Sequence, residues 1–212
     1  MGPTCPLTVS PKVKGVDLTD PSQPIPERLS IAEFTLRPIT AADAEIDHAA
    51  VMESRENLRL WEQSTWPTDD FTVEANRDDL VGLERRHAEH RAFTYTVLDP
   101  TGSRSLGCVY VFPTSASFLA KSVVTSVGDG EWSAVDAVIY FWVRQSEMQR
   151  DLDKRLLVAL REWFRDEWHA THPVFVTNEQ FTQQVELIKS TDLALKFELV
   201  EPDKTGTYLI FG

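Results

Sequence analysis

The residues with the most chemical promise lie between positions 136 and 155. Asp136-Ala-Val-Ile-Tyr-Phe-Trp-Val143 reads as a strand, Arg144 to Arg150 as a polar loop, and Asp151 to Phe164 as an amphipathic helix. A strand, a loop and a helix start in that order form an anion cradle, because the first N–H groups of a helix have no partner within it. Such cradles usually use glycine, which lets backbone approach a phosphate closely. This loop has none, and it places Asp151 and Asp153 where an anion would sit. An aspartate at a helix start can accept that helix's own N–H groups. The loop is also cationic, with Arg144, Arg150, Lys154 and Arg155 around Glu147 and the two aspartates.

Other side chains offer proton-transfer or ligand chemistry. Asp136 is a carboxylate at a strand start, and Tyr140 is a hydroxyl within the strand. Each also has a plainer role, as a solvated strand-end acid and a core aromatic. Asn178, after the next strand, suits either a ligand contact or a helix cap. Cys108 sits in an apolar run with no histidine at a telling spacing, which suits a buried thiol. His87 with His90, and His169 with His172, are spaced three apart. Without a third ligand at a metal spacing they read as ordinary histidines, and no metal is expected. Trp61 and Trp66 are candidates to line a pocket or to pack under a loop.

The elements that position these groups follow from pattern. Residues 1–28 carry six prolines, which exclude helix and favour an extended or partly disordered arm. Ile31 to Arg37 reads as a strand ended by Pro38. Thr40 is a candidate cap for a helix from Ala41 to about Glu53. Residues 54–71 read as an apolar, irregular connection, and 73–91 as a long charged helix. Ala92–Leu98 and Ser105–Phe112 flank Asp99-Pro-Thr-Gly-Ser103, a strong hairpin signal. Residues 113–135 read as a short helix or an extra hairpin. The central strand 136–143 and the strand 173–177 enclose the helix, so they should run parallel. A helix over about 179–190 and strands at 197–200 and 207–211 complete an α+β chain with a central mixed sheet flanked by helices.

The order of elements resembles the GNAT superfamily of acetyl-CoA-dependent N-acyltransferases. The likeness covers about residues 27–212, and residues 29–212 read as one such domain behind the Pro-rich arm 1–28. Pro26 to Pro38 and Ser54-Arg-Glu-Asn-Leu-Arg-Leu-Trp61 are similar to the branch that acetylates ribosomal-protein N-termini. The resemblance implies acetyl-CoA as co-substrate. The backbone of Phe141, Trp142 and Val143 would face the pantetheine arm. Met148, Gln149, Arg150, Asp151, Asp153 and Lys154 would form the pyrophosphate loop, with Asn178 near the CoA arm. In the family's Arg/Gln-x-x-Gly-x-Gly/Ala pattern, the three defining positions fall on Met148, Asp151 and Asp153, and all three depart from it. Asp136 lies near where the family places a carboxylate base, with Tyr140 as a hydroxyl. The family's tyrosine acid on the last helix has no counterpart over Gln183–Ser190.

The net charge of −12, from 21 Lys+Arg against 33 Asp+Glu, argues against nucleic acid and an anionic membrane surface. The two cysteines, Cys5 and Cys108, are far apart, and no apolar stretch approaches membrane length. A soluble cytoplasmic protein with a small-molecule or peptide amine as acceptor is expected. A homodimer is an open alternative to the monomer. So is a GNAT-shaped binding protein that has lost CoA.

Overall fold

A computed structural model describes residues 16–212. Cys5 and the first three prolines of the arm lie outside the described residues. The chain runs β1 (Leu29–Ser30), β2 (Thr35–Pro38), α1 (Ala44–Glu53), α2 (Arg55–Glu62), α3 (Val73–Ala88), β3 (Phe93–Leu98) and β4 (Ser105–Phe112). It continues with α4 (Ser117–Lys121), β5 (Val123–Ser126), β6 (Ala137–Val143), α5 (Gln145–Met148) and α6 (Leu152–Asp166). It closes with β7 (Pro173–Asn178), α7 (Thr182–Lys189), β8 (Leu195–Val200) and β9 (Tyr208–Phe211).

The nine strands among the described residues form one sheet in the order β1-β2-β3-β4-β6-β7-β9-β8-β5. β6 and β7 pair in parallel, as the strand–helix–strand spacing requires, and every other neighbouring pair is antiparallel. The sheet is mixed and flanked by helices on both faces.

Alternation along β6 sorts the core. Ala137, Ile139, Phe141 and Val143 face α6, which buries Leu152, Leu156, Leu157, Leu160, Trp163 and Phe164. Val138, Tyr140 and Trp142 face the layer built by α1 to α4. Each fully buried large side chain on α6 contributes roughly 1.5–3 kcal/mol, so packing rather than helix propensity holds this helix against the sheet.

Several segments differ from the pattern reading. The strand expected over 31–37 is confined to β2 from Thr35, which includes Pro38; residues 31–34 turn back to β1, with Ile31 exposed at 38%. The connection at 54–71 contains a true helix, α2, with Leu58 and Trp61 inward. Residues 113–135 hold α4 and β5, and β5 pairs with the distant β8 rather than forming a hairpin. The arm is not simply extended: Leu18 is buried, and Tyr95 donates to the Pro26 carbonyl at 2.7 Å. Asp43 on the turn before α1 accepts from the Thr40 backbone N–H at 2.9 Å, so the entry to α1 is closed as a cap.

One buried acid makes a stability prediction. Asp47 on α1 is 4% exposed and accepts from Asn76 Nδ2 at 3.0 Å. Burial, reinforced by nearby Asp43, pushes its pKa up to about 6. The folded state therefore holds this proton more tightly than the unfolded chain. Its favourable contribution is complete below the ordinary value of 3.8 and is lost as pH rises through about 6. Asp47→Asn should raise stability at pH 7 by up to about 3 kcal/mol, since each pKa unit corresponds to ~1.4 kcal/mol. Urea titrations between pH 4 and 8 should show the parent losing stability across this window and the variant staying flatter. A destabilised variant would show that the carboxylate is ionised and satisfied in place.

Candidate active site

The site begins where two parallel strands part. β6 and β7 stay in register from Ala137↔Pro173 to Tyr140↔Val176. Beyond that point β6 pairs with β4 alone, through Phe141↔Val109, Trp142↔Cys108 and Val143↔Gly107. β7 turns to β9 through Thr177↔Leu209 and Asn178↔Tyr208. A fork opens with Tyr140 at its base. The β4–β6 contact is very close at this end. Gly107 adopts φ +152°, and a Cβ there would lie 2.2 Å from the Trp142 carbonyl oxygen.

The loop after β6 is tied down by side chains. Arg144 donates to Glu53 Oε2 at 2.6 Å, and that pairing holds the Glu53 carboxyl down to about 2. The Gln145 and Ser146 N–H groups donate to Ser54 Oγ and Glu53 Oε1. Arg104 bonds Glu147 and Ser146. Met148 is half-buried and accepts from Asn57 Nδ2 through its sulfur at 3.4 Å. Of the loop cations, Arg144 is thus engaged, while Arg150 and Lys154 are exposed. Gln149 is exposed beside them.

Asp151 sits at φ +55°, ψ +29°, the left-handed conformation that glycine adopts at least cost. The turn that normally calls for glycine is therefore kept although the residue is not. Its side chain is exposed and makes no cap bond. Asp153 behaves differently. Oδ1 accepts the Lys154 N–H at 2.9 Å, and Oδ2 accepts Gln183 Nε2 at 3.0 Å. Burial pushes its pKa up. One of the two aspartates thus occupies the helix start, as the glycine-free loop predicts.

Two more groups close the fork. Gln184 Nε2 donates to the Phe141 carbonyl at 2.8 Å in a buried position. Asn178 is buried, with Nδ2 on the Leu60 carbonyl at 2.6 Å and Oδ1 accepting the Gln180 N–H at 2.8 Å. Asn178 therefore ties β7 to α2 and closes the turn into α7.

On the other face, a cavity of about 510 Å³ lies over the base of the fork. Tyr140, Trp61, Trp66, Tyr110 and Tyr208 line it. So do the carboxylates Glu62, Asp79 and Glu201 and the cations Arg86 and Lys204. Burial pushes the Glu62 and Glu201 carboxyls up, against the opposing pull of Lys204. Lys204 Nζ donates to the Glu62 carbonyl at 2.5 Å, and Tyr208 Oη to the same oxygen at 3.0 Å. Burial, reinforced by Glu201, pushes the Tyr140 hydroxyl well up. The Tyr140 hydroxyl and Trp61 Nε1 find no partner among the described residues.

Asp136 lies at the opposite end of β6, and seven strand residues span roughly 23 Å. Its oxygens accept from Thr171 N at 2.6 Å, Thr171 Oγ1 at 2.9 Å and His172 N at 3.1 Å. It clamps the turn before β7 and does not join Tyr140. Cys108 is buried, its Sγ donates to the Tyr95 carbonyl at 3.2 Å, and burial raises its pKa. His87 and His90 pack edge-on against Phe93. Among the described residues no three His, Cys, Asp or Glu side chains gather as metal ligands. No described helix is long and apolar enough to cross a membrane.

No family model matches the chain, and no curated protein matches its sequence. Solved structures do match its shape. The ribosomal-protein-S5-alanine acetyltransferase from Vibrio fischeri is 13% identical with a TM-score of 0.62, covering 88% of this chain and 95% of that one. A ribosomal L7/L12 alpha-N-protein acetyltransferase in complex with coenzyme A is 13% identical, with a TM-score of 0.64 and coverage of 87% and 96%. This chain has the GNAT fold. A microcin C7 self-immunity acetyltransferase bound to acetyl-CoA and AMP aligns at 11% identity and a TM-score of 0.63, over 85% of this chain and 92% of that one.

The fork, the left-handed turn at Asp151, the start of α6 and the exposed Arg150 and Lys154 would suit an acyl-CoA ligand. Asp153 and Gln184 already hold the Lys154 N–H and the Phe141 carbonyl at that end. Pattern reading missed Glu62, Glu201 and Tyr208. They come from a helix end, a strand end and the last strand, and only tertiary structure gathers them. Trp61 and Trp66 do line the cavity beside them.

Proposed function

We propose that this chain is a cytoplasmic N-acyltransferase that moves an acetyl group from acetyl-CoA to a primary amine, on a small molecule or a peptide. The observation that carries this reading is the position of Tyr140. It stands at the base of the fork that leads to the loop and α6, and it also lines the carboxylate-rich cavity. Donor path and acceptor pocket meet there.

Acetyl-CoA, when bound, supplies an acetyl group activated as a thioester. Arg150, Lys154, Gln149 and the first N–H groups of α6 would hold its phosphates, with the edge of β6 from Phe141 to Val143 beside its arm. The turn at Asp151 and the half-buried Met148 shape that loop. The acceptor arrives as an ammonium and must lose a proton before its nitrogen can attack. Glu62 draws the ammonium into the cavity. Glu201, beside Tyr140, takes the proton. Burial raises both carboxyls, which makes them stronger bases at neutral pH. Tyr140 keeps its proton and donates a hydrogen bond at the fork, where forming the amide N–C bond would break the C–S bond and the departing thiolate would take up the proton that the nitrogen sheds. In this reading Asp136 has a structural part and Asn178 a positioning one.

Asp153 and Gln184 favour a second reading, an amine-binding protein on a GNAT frame that no longer takes CoA. Incubation with acetyl-CoA and a panel of primary amines, read by mass spectrometry, separates the two. N-acetylated product that depends on the protein supports transfer. An amine that binds without product or acetyl-CoA binding supports the second reading.

A further inference from the structure

We infer that the cavity over the fork recognises a primary monoamine with an aryl or similarly bulky apolar body, rather than a polar peptide N-terminus. The inference rests on the acyltransferase reading for its consequence but not for its binding chemistry.

Charge sets the first requirement. Glu62, Asp79 and Glu201 face Arg86 and Lys204, and three carboxylates against two cations leave one net negative charge. One ammonium balances it. A diamine would leave an excess positive charge, and a carboxylate ligand would add to the negative one.

The walls set the second. Trp61, Trp66, Tyr110, Phe112, Phe118 and Tyr208 supply most of the remaining lining. Such faces attract a cation and pack an aryl body, and neither contact needs hydrogen-bond partners. A polar peptide backbone needs a donor or acceptor at each residue. The cavity offers two unpartnered donors, the Tyr140 hydroxyl and Trp61 Nε1, whose residues are 6% and 9% exposed. The open Tyr140 oxygen can also accept an ammonium N–H, and the Trp61 Nε1–H can meet an aryl face, so neither requires a ligand carbonyl. At about 510 Å³ the space suits a small molecule.

The test is calorimetry on the full chain without any acyl donor. Phenethylamine is compared with 2-phenylethanol, n-butylamine and a tetrapeptide amide of alanine and serine. Phenethylamine should bind at least tenfold more tightly than each. Equal binding of 2-phenylethanol would show that the carboxylates do not recognise charge. Equal binding of n-butylamine would show that the aromatic walls contribute nothing. Tighter binding of the peptide, or no binding of phenethylamine, would overturn the inference. Glu62→Gln should weaken phenethylamine at least tenfold and leave 2-phenylethanol unchanged. Trp66→Leu, at a half-buried position, should weaken both aryl ligands, and it keeps the test open should Glu62→Gln fail to fold. Since acetyl-CoA is absent, failed transfer with an intact amine site counts against the acyltransferase reading alone. Acetylation of other amines without phenethylamine binding counts against this inference alone.

Discussion

Asp153→Gly should tighten acetyl-CoA binding at least tenfold. In the parent, the Asp153 carboxylate already accepts the Lys154 N–H and the Gln183 amide. An entering pyrophosphate must displace it and then tolerate a like charge close by. Two unit charges 4 Å apart interact by about 4 kcal/mol at the effective dielectric of a protein surface, so even partial relief exceeds the ~1.4 kcal/mol that a tenfold change requires. Asp153 lies in the first turn of α6, where glycine costs about 1 kcal/mol of helix propensity relative to alanine. Packing of Leu156, Leu160 and Trp163 keeps α6 in place. Asp153→Asn separates charge from bulk. If it matches the glycine variant, charge is the obstacle; if it resembles the parent, side-chain volume is. Burial raises the Asp153 pKa, so lowering the pH protonates it earlier than an ordinary aspartate. The parent should therefore bind acetyl-CoA more tightly as pH falls, and Asp153→Asn should lose that dependence. Calorimetric titrations at several pH values read both effects.

Glu201→Gln should lower the rate of acetyl transfer at neutral pH by about 10²- to 10⁴-fold, the usual contribution of a positioned base. Amine affinity should change less, because Glu62 remains. The deficit should shrink as pH rises, since more of the amine then arrives without its extra proton. kcat and KM measured across pH for parent and variant distinguish this role from a structural one. A structural defect would lower the rate equally at every pH. A parent-like rate at neutral pH would remove Glu201 from the mechanism.

The frame was legible where a single segment carries its own signal. The apolar run 137–143, the Asp-Pro-Thr-Gly turn and the period of Leu152, Leu156, Leu160 and Trp163 specify β6, a hairpin and α6 without reference to the rest of the chain. The parallel pairing of β6 and β7 follows from the length of the crossover. α2 was hidden because Leu60 points outward, 46% exposed, and blurs the helical period that Leu58 and Trp61 begin. β5 was hidden because its partner β8 lies far downstream, and register across that separation leaves no local mark. The same limit applies to the site. The loop departures at Asp151 and Asp153 could be located by spacing, yet their different fates depend on backbone and neighbours. Asp151 holds a left-handed turn in solvent, and Asp153 turns inward because Gln183 on α7 meets it. Asp136 looked like a base from its strand position alone, whereas its oxygens are taken by Thr171 and His172. Glu62 and Glu201 carried no signal, as each is one acid among many in an acidic chain.

The most direct measurement of the central claim is calorimetric titration of the unaltered chain with acetyl-CoA, with Asp153→Gly alongside. The parent should bind saturably, with one site per chain, and the variant more tightly. Absence of binding by both proteins would contradict that claim, and the chain would then be a GNAT-shaped amine receptor rather than an acyltransferase.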